Sequence, residues 1–277
     1  MQAAHRASVF ALVEHLAGVG RLVIVPHGPL HAIPFSALHD GASHLIERFE
    51  CSAAPSAGVW IHAQRGRSSI ADDVASSGPA PSALVVGVSD GFAPRIADEA
   101  RLVASLLPGA ELLLDGAATA GKALAALPRA DVVHIACHGR FSALAPLNSG
   151  LRLADRWLTV RDLQRLRLRA SLVTLSGCDT GRSLIFGGDE MLGLLRGFLA
   201  AGASAMVVSL WTVNDTSTAE LMELFYANLC GRAETIDGAA ARGMHRPGAA
   251  LRAAQLALLR RRPHPVHWAP FIMVGRS

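Results

Sequence analysis

The sequence predicts an α/β domain of three layers, αβα, with a mostly parallel central sheet. Three observations carry this. From residue 83 onward, apolar runs of strand length alternate with segments of helical period, the pattern of strand–helix–strand units. Two of those runs, 131–136 and 171–176, read as buried strands that run out of apolar residues and turn into small and polar ones. Finally, 277 residues at 51% hydrophobic and 17% charged supply ample material for one large core.

The elements follow in order. Residues 5–18 have the period of an amphipathic helix, with Val9, Leu12, Val13 and Leu16 on one face. Arg21–Val25 reads as a strand, Pro26-His27-Gly28-Pro29 as a tight turn, and Leu30–Ile33 as the returning strand of a hairpin. A further strand is expected over Leu45–Ser52 and a helix over Ser56–Gln64, so that 1–64 forms a helix- and hairpin-rich subregion. Residues 65–82, rich in Ser, Gly and Pro, read as a linker or mobile loop, ahead of a core over 83–277 within one domain of 1–277. In that core, strands are expected at Ala83–Val88, Glu111–Leu114, 131–136, 171–176, Ser204–Leu210 and Phe271–Val274. Helices are expected at Ala97–Leu107, from the Thr119 cap to Leu127, and at Glu190–Ala201, Thr216–Leu229 and Ala249–Arg260. Leu151–Leu153 and Trp157–Leu158 flank Ala154-Asp155-Arg156 as a small hairpin, and Thr159 with Asp162 marks a helix start. Residues 231–248 read as a Gly- and Ala-rich loop.

Composition excludes several classes. The longest apolar run, Phe198–Trp211, is interrupted by Gly202, Ser204 and Ser209 and falls short of a membrane span; the first residues lack the apolar stretch of a secretion signal. A cytoplasmic protein without membrane contact is expected. The net charge of +4 is modest, and a single Tyr does not supply the aromatics that interleave with basic stripes in nucleic-acid binders, so no direct nucleic-acid contact is expected. Arg161, Arg165, Arg167 and Arg169 read as the solvated face of a surface helix, and Arg260-Arg261-Arg262 as cations at a helix C-terminus. Cys51, Cys137, Cys178 and Cys230 have neither Cys-x-x-Cys spacing nor a disulfide framework.

The chemistry concentrates at two strand ends. His138 follows the run Val132–Ala136, and Cys178 follows Leu172–Ser176. A right-handed crossover makes the two strands parallel, with direct adjacency the simplest arrangement, and open parallel sheets build sites at that carboxyl edge. Neighbouring strands lie about 4.8 Å apart, so a thiol and an imidazole on paired tips come within hydrogen-bond reach. Cys178 is then the candidate nucleophile and His138 its base, for acyl transfer from a peptide carbonyl. Gly139 and the Cys178 amide are candidate oxyanion donors. Trp211 could wall a side-chain pocket, and Asp179 and Asp215 could receive a basic side chain there, although Asp215 equally suits a helix N-cap. The loop Thr180–Glu190 could gate entry. Cys137 should point to the opposite face and pack, and His134 reads as a satisfied core histidine. His134, Cys137, His138 and Cys178 also admit a metal reading, but His-x-x-x-His aligns two ligands only on a helix, and this segment reads as strand. No metal or cofactor is expected.

These residues resemble a known family, the CHAT peptidases, bacterial relatives of caspases and separases. The matching pieces are Val25-Pro26-His27-Gly28-Pro29-Leu30 with Pro34-Phe35, His134-Ile135-Ala136-Cys137-His138-Gly139, and Leu175-Ser176-Gly177-Cys178-Asp179-Thr180-Gly181. Gly188-Asp189-Glu190, Ala201-Gly202-Ala203, Ser209-Leu210-Trp211 and His264-Pro265 with His267–Phe271 complete the match over nearly the whole chain. The resemblance implies a caspase–haemoglobinase fold, a Cys–His dyad on Cys178 and His138, and an oxyanion site near Gly139 and the Cys178 amide. It implies cleavage of a partner protein, switched on by a partner or ligand. Family members commonly follow helical repeats; this sequence has none, so a sensor would lie on another chain or elsewhere. The alternative is a scaffold of the same fold that does not turn over.

Overall fold

The computed structural model describes residues 15–64, 81–140, 142, 144–176, 189–211, 213, 215–232 and 245–276. Its centre is an eight-stranded sheet. The strands are β1 (Arg21–Ile24), β2 (Glu50–Ala53), β3 (Ala83–Gly87), β4 (Glu111–Leu114), β5 (Val132–Ala136), β9 (Leu172–Ser176), β10 (Ala205–Ser209) and β11 (Phe271–Gly275), in the order β1-β2-β11-β10-β9-β5-β3-β4. All neighbours are parallel except β10 and β11. A second, three-stranded antiparallel sheet holds β6 (Gly139–Arg140), β7 (Gly150–Arg152) and β8 (Trp157–Thr159).

β3, β5, β9 and β10 are buried along their whole length, because both faces are covered. Alternate residues serve opposite layers. Val133, Ile135, Val173, Leu175, Met206 and Val208 pack on one face with residues of α4 (Ala120–Ala126), α5 (Val160–Leu163) and α6 (Asp189–Ala201). Val85, Val132, Leu172 and Val207 face the other layer, made by α3 (Ile96–Leu106), α7 (Asp215–Leu229) and α8 (Pro247–Arg261). The expected three layers and parallel sheet are therefore present. Two short helices, α1 (Leu45–Arg48) and α2 (Ala57–Gln64), complete the fold.

The N-terminal region differs from expectation. Leu30–Ile33 is not a returning strand: Gly28–Ala32 is a 3-10 turn with proline in its first turn, and Pro29 and Pro34 have no N–H to give to a ladder. Within Leu45–Ser52, Glu47 accepts the His44 N–H at 2.6 Å in a capping box, which winds 45–48 into α1 before β2 begins. β1 and β2 then pair in parallel and extend the main sheet, so the hairpin character reduces to one antiparallel bridge, His39–His44. The arginine cluster is likewise not on a long helix. α5 stops at Leu163, and Arg169 beyond it pairs with Asp131 at 3.1 Å. Arg261 and Arg262 both hold Glu220 of α7 at 3.1 Å.

The small hairpin and both Thr caps are as expected. Thr159 and Asp162 form a capping box, and Thr119 accepts the Lys122 N–H. Gly202 ends α6 at φ +120°, where a Cβ would stand 2.5 Å from the Leu168 carbonyl oxygen. Trp268 is fully buried as packing, its Nε1–H donating to the Pro263 carbonyl. Among the described residues no helix is long and apolar enough to cross a membrane. The helix expected over 5–18 falls mostly outside the described residues, as do the linker, the loop after Cys178 and most of 231–248.

Candidate active site

The register of the sheet sets the geometry. β5 and β9 are direct parallel neighbours, with Ala136 opposite Ser176. His138 lies two residues past Ala136, and Cys178 stands two residues past Ser176 in sequence. β10 adds a third position: Val208 is opposite Leu175, so Trp211 stands at the same offset. The coordinates of Cys178 and Asp179 lie outside the described residues, as does the side chain of Asp215, the first residue of α7. Trp211 is half-buried and packs, with Val213, against the layer under α7.

His138 has a partner that the sequence did not point to. Its Nε2 lies 2.8 Å from Oδ2 of Asp90, in the loop after β3, the strand on the other side of β5. Asp90 is itself fixed, its Oδ1 accepting the N–H groups of Phe92 at 2.8 Å and Ala93 at 3.0 Å. Burial pulls the Asp90 carboxyl upward, but His138 and the two amides together outweigh it, so its pKa lies below the usual carboxylate value. Behind it, Ser89 donates both its N–H and its hydroxyl to Asp115 Oδ1, at 3.0 and 2.6 Å. Asp115 occupies the left-handed region at φ 43°, which Asp tolerates better than most side chains. Those hydrogen bonds to Ser89 hold the Asp115 carboxyl below its ordinary range. The only sequence signal for Asp90 was an Asp-Gly pair after a buried strand, which reads equally as a turn.

Below the rim, Ala93, Ile96 and Ala136 close a small apolar cluster that seats the start of α3 on the end of β5. Arg95 donates to the Thr216 hydroxyl at 2.9 Å and ties that start to the first turn of α7. Arg152 donates its N–H to the His138 carbonyl at 2.7 Å. With Gly139 opposite Leu151, that bond makes Gly139 a non-hydrogen-bonded position of the β6–β7 ladder, so its own N–H turns away from β7.

The other expected assignments separate cleanly. Cys137 is 1% exposed and packs in the layer opposite His138. Burial pushes the Cys51 thiol up to about 12 and raises the Cys230 thiol as well, so neither is a ready thiolate. His134 is fully buried, with Nδ1 3.2 Å from the Tyr226 hydroxyl and Nε2 3.1 Å from Glu99 Oε1. Among the described residues no group of His, Cys, Asp and Glu forms a metal cluster.

Comparison with known proteins bears on the family and the fold. The CHAT domain family matches residues 1–276. The chain belongs to the CHAT domain family. Tetratricopeptide repeat protein 28 of mouse is 29% identical to this CHAT domain over 310 aligned residues, and the human protein 28%. Each match covers 93% of this chain but 12% of the relative, so the chain spans about an eighth of those proteins. Among solved structures, separase of Saccharomyces cerevisiae in its complex with securin superposes with TM-score 0.58 at 12% identity, over 89% of this chain and 15% of that one. The Arg-specific cysteine proteinase gingipain R superposes with TM-score 0.61 at 10% identity, over 95% and 65%. The complex of the Porphyromonas gingivalis RgpB pro- and mature domains gives 0.65 at 11%, over 100% and 69%. At these identities the likeness is one of fold: this CHAT domain shares the architecture of separase and gingipain R.

Proposed function

We propose that this CHAT domain is a cysteine endopeptidase that cleaves a partner protein, with Cys178 as nucleophile, His138 as its base and Asp90 as the group that orients His138. The observation that carries the reading is the register: β5 and β9 run side by side, and the imidazole and the thiol follow their paired ends at equal distance in sequence. The chemistry of the remaining cysteines supports it, because Cys51 and Cys230 are held as thiols and Cys137 is in the core.

With Nε2 facing Asp90, Nδ1 is the nitrogen that takes the thiol proton. The thiolate attacks the scissile carbonyl carbon, and the oxyanion is met by the N–H groups of Gly139 and Cys178. The tetrahedral intermediate expels the amine, which His138 protonates. Water, deprotonated by the same imidazole, then releases the acid and restores the thiol. We assign Asp179, Trp211 and Asp215 to recognition of the residue before the cut, where two carboxylates would favour a basic side chain. No metal or cofactor enters these steps. The sensor or regulator lies outside these 277 residues, in keeping with curated relatives in which the matched segment is a small part. The setting is cytoplasmic, where Cys51, Cys137 and Cys230, none of them in a disulfide, persist as thiols.

An unbiased peptide digest tests the assignment, with Cys178→Ala as control. Products that vanish in the variant are the expected result, and undiminished cleavage overturns it. One observation favours a non-catalytic interaction scaffold instead: the curated relatives are named for repeats rather than for an activity. That reading predicts that an acyloxymethyl ketone fails to label Cys178 even when a candidate partner is bound.

A further inference from the structure

Beneath the site lies a chain of buried polar groups that the proposed mechanism does not use. His134 and Thr174 are register partners on β5 and β9, each four residues before the candidate catalytic residue of its strand. The Tyr226 hydroxyl, from α7, spans the two: it donates to Thr174 Oγ1 at 3.0 Å and lies 3.2 Å from His134 Nδ1. His134 Nε2 lies 3.1 Å from Glu99 Oε1 on α3, in ion-pair contact. All four residues are buried, within a layer of Val85, Val132, Leu172, Val207 and Phe225.

Polar groups are costly in such a layer, and apolar residues of equal volume would serve stability as well or better. What a chain of such contacts supplies instead is a single alignment of the elements it joins. Here those elements are the ones that present the site. β5 carries His138, β9 leads to Cys178, and α3 follows the loop that carries Asp90. α7 follows Trp211. A slide of α3 along β5 would separate Glu99 from His134 and, through the same movement, Asp90 from His138.

We propose that His134 is a positioning residue for the active site: held by Glu99 and Tyr226, it fixes α3 and β9 against β5 and so sets the Asp90 carboxylate on His138. This rests on the peptidase reading. A structural role alone would alter stability; positioning also alters the charge balance at Cys178, because an imidazolium braced by Asp90 favours the neighbouring thiolate.

The test follows Cys178 alkylation by iodoacetamide across pH in the full chain, resolved by mass spectrometry of the Cys178 peptide. His138→Ala and Asp90→Ala define the reading itself, and both should raise the midpoint. Tyr226→Phe, which removes only the hydroxyl, and Glu99→Leu should raise it by about half a pH unit or more, because a displaced Asp90 braces the His138 imidazolium less well. Glu99→Gln, which can still hydrogen-bond His134, should stay nearest wild type. Val103→Ala opens a cavity one turn along the same helix without removing any polar group of the chain, and supplies the control: a lower melting temperature with an unmoved midpoint. If His138→Ala and Asp90→Ala shift the midpoint while Tyr226→Phe and Glu99→Leu do not, or if Val103→Ala shifts it equally, positioning is overturned and the dyad stands. If His138→Ala has no effect, the dyad fails and the proposal falls with it.

Discussion

Two imidazole–carboxylate pairs lie along one strand, and they differ chiefly in water. His134 with Glu99 is sealed in the core, its side chains 0% and 5% exposed, at 3.1 Å. His138 with Asp90 stands at the rim, 20% and 42% exposed, at 2.8 Å. In each, β5 gives the histidine, and the stretch from the end of β3 into α3 gives the acid. Depth separates their uses. A buried pair cannot lose one member without stranding the other, so it constrains the fold. A rim pair loses little stability when broken but can reach a substrate and trade protons with it. One histidine–carboxylate pair is thus suited to bracing the fold and the other to the chemistry proposed for the rim.

The widest gap between them should appear on removing each histidine. His134→Leu leaves Glu99 uncompensated among apolar neighbours and should cost about 3–5 kcal/mol in urea unfolding. His138→Gln should stay within about 1 kcal/mol of wild type while abolishing turnover. Equal losses of stability would erase the distinction. The next effect concerns the helix that carries Glu99. A Cβ on Gly87 would fall 2.7 Å from the Ala100 Cβ and 3.0 Å from a Leu114 methyl, so α3 rests directly on β3 there. Gly87→Val should force the helix outward, costing about 1–3 kcal/mol and disturbing both pairs together, visible as a lower melting temperature with slower Cys178 labelling. Smaller again, Asp90→Asn should leave the melting temperature near wild type and reduce turnover about tenfold at neutral pH, since the amide orients His138 without its charge.

The same contrast explains how much could be seen in the sequence. The sheet was legible because β3, β5, β9 and β10 are mostly apolar runs of strand length, and the adjacency of β5 and β9 was the simplest arrangement for a right-handed crossover. His138 was legible because a polar residue directly after such a run stands out. Asp90 was not, because its role comes from register: Gly87 pairs with Ala136, which brings the loop after β3 beside His138, and no local pattern encodes that pairing. Glu99 was hidden for a related reason. It lies in the first turn of α3, where an acid suits the helix dipole, and only the tertiary contact shows that it faces inward. His134 was read as a satisfied core residue; it is buried, with Nδ1 against the Tyr226 hydroxyl, but Nε2 has an ion-pair contact to Glu99 rather than a hydrogen bond, and both partners come from distant positions. At the N-terminus, prolines and a capping box overrode apolar runs that looked like strands.

The gentlest probe of the rim pair is pH. Asp90 is held below the ordinary carboxylate value despite the upward pull of burial, by His138 and the amides of Phe92 and Ala93. A carboxyl lowered by folding binds its proton less readily in the native state than in the unfolded chain. Its contribution is therefore complete above the unfolded value, about pH 4, and fades as pH falls through the lower folded value. Comparing wild type with Asp90→Asn by urea unfolding should show a small, constant advantage for wild type above about pH 5 that shrinks toward zero in stronger acid. Half-exposure and salt keep that advantage under about 1 kcal/mol, and added salt should reduce it further. An advantage that grew as pH fell would mean that the carboxyl is raised in the folded protein, so that the fold disfavours the anion that braces an imidazolium.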